Sequence, residues 1–279
     1  MDQPRPPASW PAGISFWIVD AFTQVPYRGN PAAVMLLSAW PADDWLHSVA
    51  REMQLSETAF LVPADKGFRL RWFTPKVEVD LCGHATLASA HVLWSTGIVP
   101  AEGMIEFATR GGRLTCRQVS KRIEMDFPAK PPQPCEAPPG LLESLGCEAV
   151  DVGRNAFDFL VRVASAPILR SLQPDFESLA KVQARGVIVT ALGDAKGIDF
   201  VSRFFGPRVG INEDPVTGSA HCCLGPYWAG ILGKTSFDAY QASPRGGELR
   251  VVVRGDRVTL CGHAVSVAHG EWLAPIPPR

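Results

Sequence analysis

The chain repeats itself. An arginine-aromatic-Phe-x-Pro segment, a loop, a small-Gly-polar-Ala tetrad and a helix-length apolar stretch occur twice in the same order. The first copy reads Arg71-Trp72-Phe73-Thr74-Pro75, then Cys82-Gly83-His84-Ala85, then a helix through Leu87 and Val92. The second reads Arg203-Phe204-Phe205-Gly206-Pro207, a loop three residues longer, Thr217-Gly218-Ser219-Ala220, and a helix through Leu224 and Trp228. Recurrence of strand end, loop and helix start implies two equivalent half-structures. Between them lies PAKPPQPCEAPP at 128–139, which sustains neither a helix nor an interior strand because proline lacks an N–H and fixes φ. The expected organisation is therefore a half over 13–127, a linker over 128–139 and a half over 140–269, with the tail 270–279 completing the first half.

Alternation and β-branched runs predict strands at Ser15–Ala21, Ala32–Leu37, Thr58–Val62, Phe68–Phe73, Met104–Ala108, Arg122–Phe127, Phe157–Val163, Val187–Ala191, Leu249–Arg254 and Arg257–Leu260. One amphipathic helix is expected over Ala42–Met53, where Trp45, Leu46, Val49, Ala50 and Met53 share a stripe and Asp43 and Asp44 suit the positive end of the dipole. It delivers the chain to Ser56-Glu57-Thr58. A duplicated β-rich unit with one long helix per copy predicts an α+β fold of two pseudo-symmetric domains, each a curled sheet around a central helix. The two helix starts are then expected to face one another across a cleft. Unpaired N–H groups there, with glycine permitting close approach, would cradle a carboxylate or enolate.

The charge balance, 27 basic against 28 acidic residues, leaves no basic stripe to follow a phosphate backbone, so no nucleic-acid partner is expected. No run approaches the ~20 apolar residues of a membrane helix, and the proline-rich start has no signal-peptide pattern; a cytoplasmic protein with a frayed start is expected. Seven scattered cysteines suit reduced thiols. His221-Cys222-Cys223 lacks metal-ligand spacing on a helix, and neither a phosphate-binding nor a dinucleotide motif occurs, so no metal and no cofactor are expected. Cys261-Gly262-His263-Ala264 repeats the letters of the first tetrad but follows one strand and precedes another.

Four segments in register, VDAFTQVPYRGNPAAV at 19–34, LSETAFL at 55–61, DLCGHATLA at 80–88 and EDPVTGSAH at 213–221, resemble the phenazine-biosynthesis isomerase-like family over nearly the whole chain. The resemblance implies the diaminopimelate epimerase fold, an active site between the halves, and a homodimer. It implies Glu57 as the acid-base residue, with His84, Asp214 and Ser219 completing the polar site. Backbone amides at Gly83 and Gly218, beside Ser56 and Thr217, would bind the substrate. Related racemases place a cysteine at each tetrad, because inversion needs a base on one face of the carbon and an acid on the other. Here only Cys82 stands in such a place, opposite Thr217. Ser243 to Glu248 also departs from the segment usual in phenazine-type members.

Each residue has a plainer reading beside the functional one. Glu57 is in phase with Ala59 and Leu61, so apolar surroundings could tune it as a base, or it is a solvated strand glutamate. Asp214 before Pro215 is a turn or cap signal; functionally it would orient His84 or hold a substrate amino group. The helix dipole should depress the His84 pKa, unless a carboxylate opposes it, leaving either a neutral donor or a proton relay. Ser219 is a first-turn or capping hydroxyl that can also bind substrate. Cys82 reads as a small, partly buried residue. The expected activity is a cofactor-independent isomerase moving a proton, allylic or alpha to a carboxylate or carbonyl, in a small cyclic or amino-acid-like carboxylate. The alternatives are a Cys82-assisted racemase, epimerase or dehydratase of amino or hydroxy acids, and a catalytically silent small-molecule-binding protein.

Overall fold

Residues 10–276 are described by the computed structural model; 1–9, where the frayed start was expected, and 277–279 lie outside the described residues. The chain divides into two units, Met1–Asp126 with Cys261–Arg279, and Phe127–Leu260.

In the first unit β1 (Ser15–Ala21) pairs antiparallel with β2 (Asn30–Leu36), and α1 (Asp43–Met53) carries the chain to β3 (Glu57–Pro63), parallel to β2. The strand β4 (Phe68–Phe73) runs antiparallel to β3 and to the short β5 (Glu78–Val79). After α2 (Gly83–Ser95), β6 (Ile105–Thr109) lies parallel to β4 and continues into the antiparallel β7 (Gly112–Val119) and β8 (Arg122–Pro128).

The second unit runs through β9 (Gln133–Pro134), α3 (Leu141–Leu145), β10 (Asp151–Arg154), β11 (Asp158–Arg162), α4 (Ala166–Ser171), α5 (Phe176–Leu179) and β12 (Gly186–Leu192). It continues through β13 (Phe200–Gly206), β14 (Ile211–Asp214), α6 (Gly218–Leu232), β15 (Ser236–Gln241), β16 (Gly247–Arg254) and β17 (Arg257–Gly262). The last strand, β18 (Ala264–Glu271), pairs antiparallel with β1.

The sequence repeat is a topological repeat. The pairings β1–β2, β2–β3, β3–β4, β4–β5, β4–β6 and β6–β7 recur with the same senses as β10–β11, β11–β12, β12–β13, β13–β14, β13–β15 and β15–β16. The parallel steps β2–β3 and β11–β12 pass through α1 and through α4 and α5, and the parallel steps β4–β6 and β13–β15 pass through α2 and α6, because parallel neighbours need a crossover. The repeated arginine has one job in both units. Arg71 grips Glu78 through Nε and Nη2 at 2.7 and 2.8 Å, and Arg203 grips Glu213 at 2.7 and 2.9 Å. Each fork ties the strand of the Arg-aromatic-Phe motif to the segment that leads into the helix start, and each guanidinium also lies over the motif's Phe73 or Phe205 ring.

The central helices α2 and α6 are apolar nearly all round and mostly buried, as a helix enclosed by a curled sheet must be. In α6, Gly225 lets the helix approach β16: a Cβ there would meet Val251 at 2.9 Å. The following Pro226 cannot donate to the Cys222 carbonyl one turn back, and the Lys130 N–H takes that place at 2.9 Å.

That bond, with the β9–β10 pairing, shows that 128–139 is anchored in the second unit and is not a free linker. The return to the first unit begins at Cys261 and not at 270, because β18 finds its backbone partners on β1 from Ala21↔Ala264 to Ser15↔Glu271. The Cys261 tetrad sits between β17 and β18 with no helix after it. None of the seven cysteines forms a disulfide, and no helix among the described residues is long and apolar enough to cross a membrane.

Candidate active site

The starts of parallel strands share one edge of a sheet, and in the first unit that geometry gathers polar groups. Asn30 opens β2 and Glu57 opens β3, with Ala32 beside Glu57 in register. Gly29, at φ 65°, makes the tight entry to β2 that a side chain would strain. The start of α2 packs against the same strands and delivers His84. His84 Nε2 lies 3.2 Å from Glu57 Oε2, while Nδ1 lies 3.2 Å from Asn30 Nδ2 and 3.5 Å from Cys82 Sγ. Asn30, Cys82 and His84 are buried, while the Glu57 side chain is 13% exposed and so keeps some contact with solvent. Nε2 makes no aligned hydrogen bond among the described residues, despite its closeness to Glu57.

Burial works against the charged imidazole, while the Cys82 sulfur and the Glu57 carboxyl beside it act the other way and His84 is raised above its ordinary value; with Cys82 kept as a thiol, Glu57 is the charged group that opposes the burial. The depression expected from the helix dipole is thus overridden, with Glu57 as the opposing carboxylate. Burial pushes the Cys82 thiol up, Glu57 adds to the shift, and His84 only partly offsets it. A protonated thiol is a poor nucleophile and a poor base.

Glu57, Cys82 and His84 present potential ligand atoms within 4.8 Å of one another, an O, N and S set of the kind that zinc accepts. Cys82 and Glu57 lie against different ring nitrogens, however, so an ion held by all three would take one nitrogen and displace the contact at the other.

In the second unit the structure brings together Asp214, Thr217, Gly218 and Ser219 at the start of α6. Thr217 is the N-cap, without a side-chain cap bond. Its hydroxyl instead donates to Asp214 Oδ2 at 2.5 Å, and its N–H donates to Gln241 Oε1 at 2.9 Å. Gln241 Nε2 closes the loop by donating to the Asp214 carbonyl at 2.7 Å. Ser219 is not the cap: its Oγ accepts from Arg185 Nη2 at 3.0 Å. Asp158, 1% exposed, holds the same guanidinium with both carboxylate oxygens. Lys130 and Arg185 both lie over the Phe157 ring, which gathers positive charge near Ser219.

Ser56 directly precedes Glu57 and is half-buried, and Gly83 is the first residue of α2. Sequence reasoning missed Asn30, Asp158, Arg185 and Gln241. Asn30 stands inside a motif already singled out, and its Asn-Pro pair reads as a turn; only its burial beside His84 marks it out.

The comparisons agree with this architecture. The family model described as phenazine biosynthesis-like protein matches residues 19–270. An uncharacterized isomerase of Halalkalibacterium halodurans is 51% identical over 258 residues, covering 92% of this chain and 97% of its own. The crystal structure of a phenazine biosynthesis PhzF family protein from Enterococcus faecalis superimposes with a TM-score of 0.89 at 40% identity, over 94% of this chain and 100% of that one. A predicted epimerase from Pseudomonas aeruginosa shares the fold at 24% identity with a TM-score of 0.73, over 94% and 100% of the two chains. With its duplicated unit, its glutamate at the head of β3 and its histidine at the head of α2, the chain belongs to the phenazine biosynthesis-like protein family.

Proposed function

We propose that, within the isomerase-type function that goes with this family, the chain moves a proton between two carbons of a small carboxylate without changing its oxidation state. Glu57 takes the proton alpha or vinylogous to a carboxylate or carbonyl. The electron pair of the broken C–H bond passes into the conjugated system as an enolate-like anion, and the same proton returns at another carbon as that pair comes back. His84, held beside Glu57, donates a hydrogen bond from Nε2 to the oxygen that gains charge. Thr217, Gly218 and Ser219, with Arg185 behind Ser219, form a separate polar cluster at the start of α6 whose N–H groups and guanidinium suit an anionic group.

The observation that carries this reading is the 3.2 Å approach of Glu57 to a buried imidazole whose Nε2 has no aligned partner. The high pKa of Cys82 speaks against the racemase reading, in which that thiol is one of two bases. The test is a screen of cyclic and amino-acid-like carboxylates in deuterium oxide, read by mass spectrometry. Deuterium uptake that falls at least about a hundredfold in Glu57→Gln is expected, the scale of general-base catalysis. Uptake undiminished in that variant discards the assignment, and a tightly bound ligand with no uptake points to a binding protein.

A further inference from the structure

An imidazole has two nitrogens, and the one that carries the proton is set by what faces the other. At Nδ1 of His84 stand the Asn30 amide nitrogen at 3.2 Å and the Cys82 sulfur at 3.5 Å. Both carry hydrogens, the sulfur because burial keeps it as a thiol. A neutral ring met by two donors at Nδ1 must accept there, and its own proton is left on Nε2, the side of Glu57.

We propose that Asn30 is a positioning residue that fixes His84 as the Nε2–H tautomer and keeps that hydrogen directed to Glu57 and the substrate. A primary amide suits this task better than any other side chain of its size. Its nitrogen donates to the neutral ring, and by turning about its own axis it brings an oxygen to accept from Nδ1–H of the charged ring. Nε2–H therefore faces Glu57 in both charge states, and the ring gains or loses its titrating proton at Nδ1. It follows that His84 is a standing hydrogen-bond donor and Glu57 the sole proton carrier, which chooses between the two roles the sequence left open for the histidine. This step rests on the isomerase reading only for its purpose; the tautomer itself is a property of the free protein.

Among the described residues, the ionisable groups that act on the ring are few. The strand β3 contributes Glu57, and the residue before α2 is Cys82. On β1, Asp20 accepts from the Tyr27 N–H at 2.6 Å, and Ala264–Ala268 of β18 carries no ionisable side chain.

The experiment is 15N NMR of the full chain labelled at histidine, with the His84 signals identified by their loss in His84→Gln, titrated in wild type, Asn30→Leu, Asn30→Asp and Cys82→Ala. In wild type the neutral ring should show a protonated Nε2 and a bare Nδ1. Asn30→Leu should mix the tautomers. Asn30→Asp, which can only accept at Nδ1, should keep the ring charged to higher pH by at least about one unit. Cys82→Ala should leave the tautomer unchanged. A wild-type ring protonated at Nδ1 when neutral overturns the proposal, even if a variant fails to fold. So does a tautomer that follows Cys82 and ignores Asn30. Because the readout needs no substrate, its failure is distinct from a failure of the isomerase reading in the deuterium screen.

Discussion

His84 Nε2 sits 3.2 Å from Glu57 Oε2, one group at the head of a buried helix and the other at the head of the strand that the helix covers. The pair makes the stability of the first unit depend on pH. His84 is raised above its ordinary value of 6.5, so its contribution is complete below that pH and is lost as pH rises through the folded value. The melting temperature is expected to fall across that window, and to fall less in Glu57→Gln. Thermal unfolding against pH checks this; parallel curves for the two proteins would show that Glu57 does not support the imidazolium.

Cys82 should be a slow thiol. Alkylation proceeds through the thiolate, and both burial and the Glu57 charge disfavour that form. In the native protein iodoacetamide should modify Cys82 at least about tenfold more slowly than the exposed Cys135. Peptide mass spectrometry over a time course reads both sites at once.

The Arg203–Glu213 fork should matter to the second unit. Its side chains are 9% and 13% exposed, and removing one partner of a buried pair leaves the other charge uncompensated. Arg203→Met is expected to cost about 3 kcal/mol, and Arg203→Met with Glu213→Leu to recover part of that loss. Denaturant unfolding of both proteins measures the difference.

Arg185→Lys keeps the charge beside Ser219 but loses the planar fork that Asp158 and Ser219 share. The second unit is expected to lose about 1–2 kcal/mol, because buried Asp158 keeps a charged partner but loses one of its two hydrogen bonds. Denaturant unfolding measures the loss; a variant as stable as the wild type would show that the fork does not hold Asp158.

Much of this architecture was legible because repeats and periodicity are local. The run from Arg71 to the first tetrad, and its recurrence from Arg203, foretold the two units whose pairings prove to match strand for strand. The Ala42–Met53 stripe became α1, starting at Asp43. Strands such as β7, β10 and β18 escaped notice, since each is exposed along much of its length and alternates weakly. The end of the second unit was misplaced for the same reason: β18 belongs where β1 offers hydrogen bonds, and nothing in its own letters says so.

Glu57, His84, Asp214 and Ser219 were singled out by motif, but what each one touches was not legible. Sequence alone determined that there are two like halves, that each has an apolar helix with glycine at its head, and that a glutamate opens one strand. Only tertiary structure decided that Asn30 and Cys82 share one imidazole nitrogen, that Glu57 faces the other, and that Asp158 steers Arg185 onto Ser219. Periodicity and composition act between neighbours along the chain, whereas protonation state is set by groups brought within about 4 Å by folding, and that distance is written in no local pattern.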